Sequence, residues 1–180
     1  MACSKLGENA LAIVWAIAEA GGIPLLVNAL ATSSNAKEMM ASAQLYSLAA
    51  NALSQLAKDN PSNQNKITED GHAIPYLVQI LGAPVPDLQA NGAECLGNLS
   101  AGKTTGPNPD NQQQIARTGA IAPLCTLLRE GADEVKEQAA AALWSLSLDN
   151  KPNKDTVAKL GGIEPLVTLL VNGSSDVSLE

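Results

Sequence analysis

The residues best placed to do chemistry run Gly97-Asn-Leu-Ser-Ala-Gly102-Lys103-Thr104, which fits the GxxxxGK[ST] spelling of a phosphate-binding loop letter for letter. Such a loop works when it follows a strand and opens a helix, because its backbone N–H groups and the helix dipole then converge on the anion. Here Leu88, Gly92, Cys95, Leu96 and Leu99 set a helical spacing upstream, and Thr104-Thr-Gly-Pro107-Asn-Pro109 downstream cannot continue a helix. The order is helix then loop, the reverse of what nucleotide binding needs. Asp149, after Trp144-Ser-Leu-Ser-Leu148, imitates the acidic partner of such a loop but falls at a helix end.

The remaining candidates are weaker. His72 is the single histidine, set in a turn between Gly71 and Ala73 with no nucleophile beside it, so no Ser–His–Asp or Cys–His arrangement can be assembled. Cys3, Cys95 and Cys125 are scattered, with no CxxC and no paired histidine, which excludes a disulfide framework and a zinc site. Cys95 and Cys125 read instead as small apolar core groups in a reducing compartment. Asn98-Leu-Ser100 and Asn172-Gly-Ser174 are glycosylation sequons in letters only. The expectation is no catalytic residue, no metal and no cofactor: not an enzyme.

Composition narrows the class. The 180 residues are rich in Ala (29) and Leu (25), with no Phe and two each of Trp and Tyr. That is a helix composition and a poor sheet composition. A net charge of −7 argues against tracking the phosphates of DNA or RNA. No apolar run reaches the length of a membrane helix. Lys5 followed by Ala10-Leu-Ala-Ile-Val-Trp-Ala-Ile-Ala18 imitates a secretory leader, but Glu8 sits in the stretch that should be basic. The same segment fits a repeat register, so the expected location is intracellular, cytoplasmic or nuclear.

That register is the dominant feature of the chain. Ile23, Ile74, Ile121 and Ile163 each follow a Gly turn or precede a Pro-Leu or Pro-Tyr pair, at steps of 51, 47 and 42 residues. Seven residues after each comes Leu30, Leu81, Leu128 or Leu170. A second leucine follows at Leu53, Leu96 and Leu143, and an apolar residue before each Gly turn at Ile17, Ile67, Ile115 and Val157. The offsets reduce to a 42-residue unit with extra residues confined to joints, mainly Ala31–Met40 and Gly102–Asp110. Each unit predicts a short helix ended by Gly, a second helix with Pro or Glu in its first turn, and a long third helix with a small-residue stripe. No unit can cover its own apolar stripe, so neighbours must stack, and equivalent positions should meet equivalent surroundings.

The string Val135-Lys-Glu-Gln-Ala-Ala-Ala-Ala-Leu143-Trp-Ser-Leu146, followed by Gly161-Gly-Ile163-Glu-Pro165-Leu166-Val167-Thr-Leu-Leu170, resembles an armadillo repeat, the family that includes β-catenin and importin-α. HEAT repeats share the size, but the Gly-Gly-Ile-x-Pro-Leu-Val turn is similar to the armadillo pattern. The resemblance spans about residues 10–172. It implies an all-α, right-handed superhelical solenoid of three-helix repeats. The divisions expected are a partial repeat over 1–20, repeats over 21–70, 71–118 and 119–160, and a truncated one over 161–180. The chain stops where the next long helix should start, so both ends present apolar stacking faces without a polar cap. The expectation is a piece of a longer array, or a protein that covers its ends by self-association.

In armadillo solenoids the third helices line a concave groove, and the resemblance places Asn51, Gln55, Asn91, Glu94, Asn98, Gln138, Ala141 and Ser145 there. Asn91, Glu94 and Asn98 share a helix face at i, i+3, i+7. An Asn side chain offers the donor and acceptor that grip an extended peptide backbone. Trp144 is expected at the groove edge as a binding hot spot, and Trp15 within the first unit. The Trp ladder of importin-α falls here on Asn51, Glu94 and Ala141, and its Asn ladder on Gln55, Asn98 and Ser145, so one position of six matches. The basic groove of β-catenin is not reproduced either. The function expected is a scaffold holding a protein or peptide partner, with no nucleic acid and no membrane. The rival readings are a structural or self-associating segment, a nuclear-import-type binder of basic peptides, and a nucleotide enzyme.

Overall fold

Among the described residues three short helices begin on an asparagine. Asn60, Asn108 and Asn150 each turn a side-chain oxygen onto the backbone N–H three residues ahead, at 3.0, 3.3 and 3.1 Å. This satisfies an N–H that the first helical turn would otherwise leave unpaired. Pro61, Pro109 and Pro152 occupy the first turn that follows, where a missing N–H costs nothing. The computed structural model describes residues 16–31, 40–69 and 71–175. Trp15, Cys3, most of the Ala31–Met40 joint and the segment after residue 175 lie outside the described residues.

Among the described residues ten helices follow in order: α1 (Gly22–Leu30), α2 (Ala43–Ala57), α3 (Pro61–Glu69), α4 (Ala73–Leu81), α5 (Pro86–Ser100), α6 (Pro109–Arg117), α7 (Ile121–Glu130), α8 (Asp133–Ser147), α9 (Lys151–Lys159) and α10 (Ile163–Ser175). Residues 16–19 are helical as well. The short helices α3, α6 and α9 are nine residues each, and the long ones α2, α5 and α8 are fifteen. The short helices start at Pro61, Pro109 and Lys151, where the Asn and Pro residues open them. Gly71, Gly119 and Gly161 take φ of +69°, +86° and +71° just past the short helices, the left-handed conformation that lets the chain turn into the next helix.

The long helices form one layer. Helix α5 packs against α2 on one side and α8 on the other, while α4 and α7 pack beneath their own long helices. The stripe leucines Leu53, Leu96 and Leu143 are all buried, as are Ile67, Ile115 and Val157 from the short helices. Helices α5 and α8 approach closely, and a methyl group added at Gly97 would lie 3.2 Å from the Ala142 Cα. Close backbone approach is what the small-residue stripe provides.

Two expectations are corrected. Ile23, Ile74 and Ile121 are buried, but Ile163 is 56% exposed, and Leu170 is 75% exposed where Leu30, Leu81 and Leu128 are buried. The reason is that α10 meets no long helix of its own among the described residues. The Gly102–Asp110 joint is also more ordered than a plain loop. Ala101–Gly102 and Gly106–Pro107 pair antiparallel as a two-stranded hairpin, and Pro109 already belongs to α6.

Leu143, buried between α8 and its neighbours, sets a direct test of the stack. Leu143→Ala is expected to cost about 2–5 kcal/mol of unfolding free energy, read by chemical denaturation followed by circular dichroism.

Candidate functional site

The exposed side of the long-helix layer carries most of the residues expected from sequence. Asn51 and Gln55 on α2 are exposed, and Asn91, Glu94 and Asn98 on α5 are half-buried. They do not stand apart. Asn51 Nδ2 donates to Asn91 Oδ1 at 3.4 Å, and Asn91 Nδ2 donates to Ser47 Oγ at 2.6 Å. Gln55 Nε2 donates to Glu94 Oε1 at 3.5 Å, and Asn98 Nδ2 donates to Ser54 Oγ at 2.8 Å. These bonds form a polar ladder across the α2–α5 joint.

The α5–α8 joint is different. Gln138 is half-buried and Ala141 exposed, and no side-chain hydrogen bond joins the two helices among the described residues. Ser145, expected in the groove, is 9% exposed, and its carbonyl accepts from Gln112 Nε2 at 2.8 Å. It is part of the packed joint. Trp144 is 59% exposed but lines an apolar cleft of about 940 Å³ with Leu143, Val157, Ile163, Leu166 and Leu170. In register, Trp144 corresponds to Ser54 and Gly97, both covered by the next long helix. Its place is the stacking side of α8.

Sequence reasoning missed a second polar set that holds this layer in position. Asn60-Pro-Ser-Asn63-Gln64 and Asn108-Pro-Asp-Asn111-Gln112 repeat, and Asn150-Lys-Pro-Asn153 follows in part. Asn63, Asn111 and Asn153 donate to the carbonyls of Leu56, Leu99 and Leu146 at 2.9, 3.0 and 2.8 Å. Gln64 Nε2 reaches the Asn98 carbonyl at 2.8 Å. Asn108 and Asn150 then donate to Gln64 and Gln112 of the preceding short helices, at 3.1 and 3.0 Å. Carbonyls at a helix end lack intrahelical donors, and these amides supply them. The recurring Asn-x-x-Asn-Gln was the available signal.

The phosphate-loop spelling comes apart structurally. Gly97–Ser100 close α5, Ala101–Gly102 form a strand, and residues 103–105 are the hairpin turn. Thr104 N–H donates to Asp59 Oδ1 at 2.9 Å, so a carboxylate from the α2–α3 joint occupies the amide a phosphate would need. This bond, with help from Lys103 and the Thr104 hydroxyl, holds the Asp59 carboxyl below its ordinary value of 3.8, against the opposing effect of partial burial. Asp59 and Asp149 both adopt left-handed φ, at 50° and 52°, as the chain leaves a long helix. His72 is exposed before α4 and makes no capping bond. Burial pushes the Cys95 and Cys125 thiols up, and both are free. The Asn98 sequon lies within α5, with Ser100 buried and bonded to the Leu96 carbonyl at 2.7 Å. Among the described residues no group of three or more His, Cys, Asp or Glu is placed to hold a metal, and no helix is long and apolar enough to cross a membrane.

Comparison with known proteins agrees with this geometry. Residues 108–148 match the armadillo/beta-catenin-like repeat family. The juxtamembrane domain-associated catenin of Caenorhabditis elegans is 38% identical over 81 residues, covering 44% of this chain. A designed armadillo repeat protein in complex with the peptide (KR)4 superposes with a TM-score of 0.72 at 25% identity over 87% of this chain. A computationally designed armadillo protein for modular peptide recognition gives 0.71 at 26% over 87%, and an engineered protein gives 0.76 at 27% over 91%. The chain spans 6% of the catenin's length, and 60%, 60% and 61% of those three solved chains.

Two outcomes follow. Asn98→Ala leaves Ser54 without its partner and is expected to lower stability by about 0.5–1.5 kcal/mol, measured by urea denaturation. For Asp59 the folded pKa is depressed, so its stabilisation is present above the ordinary carboxylate value and is lost as pH falls through the folded one. Protection of the Thr104 amide against exchange, measured by NMR relative to the intrinsic rate at each pH, should fall on acidification below 3.8, and in Asp59→Ala should be low already at neutral pH.

Proposed function

We propose that this chain, an armadillo-repeat protein folded as a right-handed superhelical solenoid, is a scaffold that holds an extended segment of a partner protein across its long helices. The observation that carries this is the ladder of Asn51, Gln55, Asn91, Glu94 and Asn98, a run of amides and one carboxylate on stacked helices. Carboxamides supply donors and acceptors together, the pair an extended backbone requires. Gln138 extends the row toward α8, and Ser145 is too buried to join it. That designed relatives are described as binding peptides is consistent with the reading.

The tryptophan positions of an import adaptor are Asn51, Glu94 and Ala141 here, which leaves a run of lysine stems without an aromatic floor. Nucleotide binding loses its loop to the hairpin and Asp59. The free buried thiols and the catenin relative support an intracellular location, and the charge of −7 supports a protein rather than a nucleic-acid partner.

A second reading has its own observation. The cleft around Trp144, Ile163 and Leu170 is apolar and open, so self-association through that side of α8 competes for the role. One experiment separates them. Peptides selected from a random display library should lose about tenfold in affinity in the Asn51→Ala/Gln55→Ala double variant, read by fluorescence anisotropy, with little change in melting temperature. Trp144→Ala should leave that affinity intact. If no peptide is enriched and Trp144→Ala converts a sedimenting oligomer to monomer, the self-association reading replaces the first.

A further inference from the structure

The cleft between α8 and α10 repeats a space that is filled twice elsewhere in the chain. Helix α5 packs on α2 and on its own second helix α4, and α8 packs on α5 and α7 in the same way. Each of those spaces takes one helix of fifteen residues. Between α8 and α10 the corresponding space, about 940 Å³, is open among the described residues. Its walls are positions that a long helix covers in the other units. Ile163 and Leu170 are exposed, while Ile121 and Leu128, their counterparts on α7, are buried.

Side chains at this space differ from those at the filled ones. Gln64 and Gln112 donate to carbonyls near the end of the long helix of their own triplet, Asn98 and Ser145, each at 2.8 Å. Lys154 stands in their register on α9, lines the cleft, and has no ion pair among the described residues. Trp144 stands where Ser54 and Gly97 face the next long helix. At the opposite end of the cleft lie Glu137, without an ion pair among the described residues, and Asp133, bridged to Lys136 at 3.4 Å. Negative charge at one end and a lysine at the other match the dipole of a helix running parallel to α8, its N-terminus toward Asp133 and its C-terminus on Lys154.

We propose that this cleft docks an amphipathic helix of a separate protein, about fifteen residues long and parallel to α8, whose last carbonyls or free carboxylate meet Lys154. Within the chain the same task falls to neutral amides, Gln64 and Gln112. A helix attached through the backbone needs no attraction at a distance, whereas one arriving from solution is steered by charge. The incoming stripe must carry Ala or Gly opposite Trp144, because the indole takes the space that Gly97 leaves to the Ala142 backbone. The cleft lies on the stacking side of α8, away from the ladder of α2 and α5. Docking there and peptide binding along the ladder therefore succeed or fail independently.

The test uses the full 180-residue chain and a hydrocarbon-stapled peptide with the α8 sequence and Trp144→Ala, made with a free C-terminal carboxylate or a C-terminal amide. Binding should move the emission of the protein's own Trp144 to the blue, and Trp144→Phe should abolish that shift. The carboxylate form should bind wild type about threefold more tightly than the amide. Lys154→Gln should bind the two forms equally and, because Lys154 is exposed, should keep the wild-type melting temperature. No shift in Trp144 emission, or equal affinity of the two peptide forms for wild type, would overturn the proposal. So would sedimentation showing a dimer that Trp144→Ala dissolves and the peptide does not, since a second copy then holds the cleft.

Discussion

The structure depends on one constraint: a helix with an apolar stripe needs a neighbour to cover it, and here each long helix is covered by the next. Leu53 is covered through α5 and Leu96 through α8, and the short and second helices brace them from below. Stability of such a stack is set mainly by contacts between neighbours, so the identity of the residue facing the next helix decides how closely two repeats approach. That residue is Ser54, then Gly97, then Trp144. The same backbone register therefore yields three different joints.

Much of this was legible in the chain. The leucines at Leu53, Leu96 and Leu143 and the isoleucines at Ile23, Ile74 and Ile121 recur because burial recurs, and a buried position tolerates few residue types. The long helices followed from their small-residue runs, and the Gly turns from the φ that only glycine adopts without strain. Asn91, Glu94 and Asn98 could be placed on one face from their spacing alone. Their partners could not. Ser47 and Ser54 lie 44 residues from Asn91 and Asn98, and no local pattern couples them. The burial of Ser145 was invisible for the same reason, since it depends on Gln112 reaching across from a short helix.

The hairpin after α5 shows how a spelling can mislead. Phosphate binding requires backbone N–H groups that converge and remain free, and these are properties of a fold, not of letters. In this chain the amide of Thr104 does meet an anion, but the anion is Asp59 from the preceding joint. Gly102 is needed because a side chain there would run into that same carboxylate, at 2.6 Å. The insert thus ties two repeats together at one edge of the long-helix layer.

The polar ladder and the dry contact between α5 and α8 are alternatives imposed by side-chain size. Gly97 lets the Ala142 backbone come so close that no polar side chain could fit between the helices. Where Ser54 stands instead, the helices meet through hydroxyl and amide groups, and Asn98 and Asn91 bridge the gap. Amides that bridge a joint use one N–H or the oxygen inward and keep both donor and acceptor capacity for the surface. Gln64 fixes the Asn98 backbone there from beneath, so Asn98 is held by both a side-chain and a main-chain bond. A surface organised before a ligand arrives loses less entropy when it binds one.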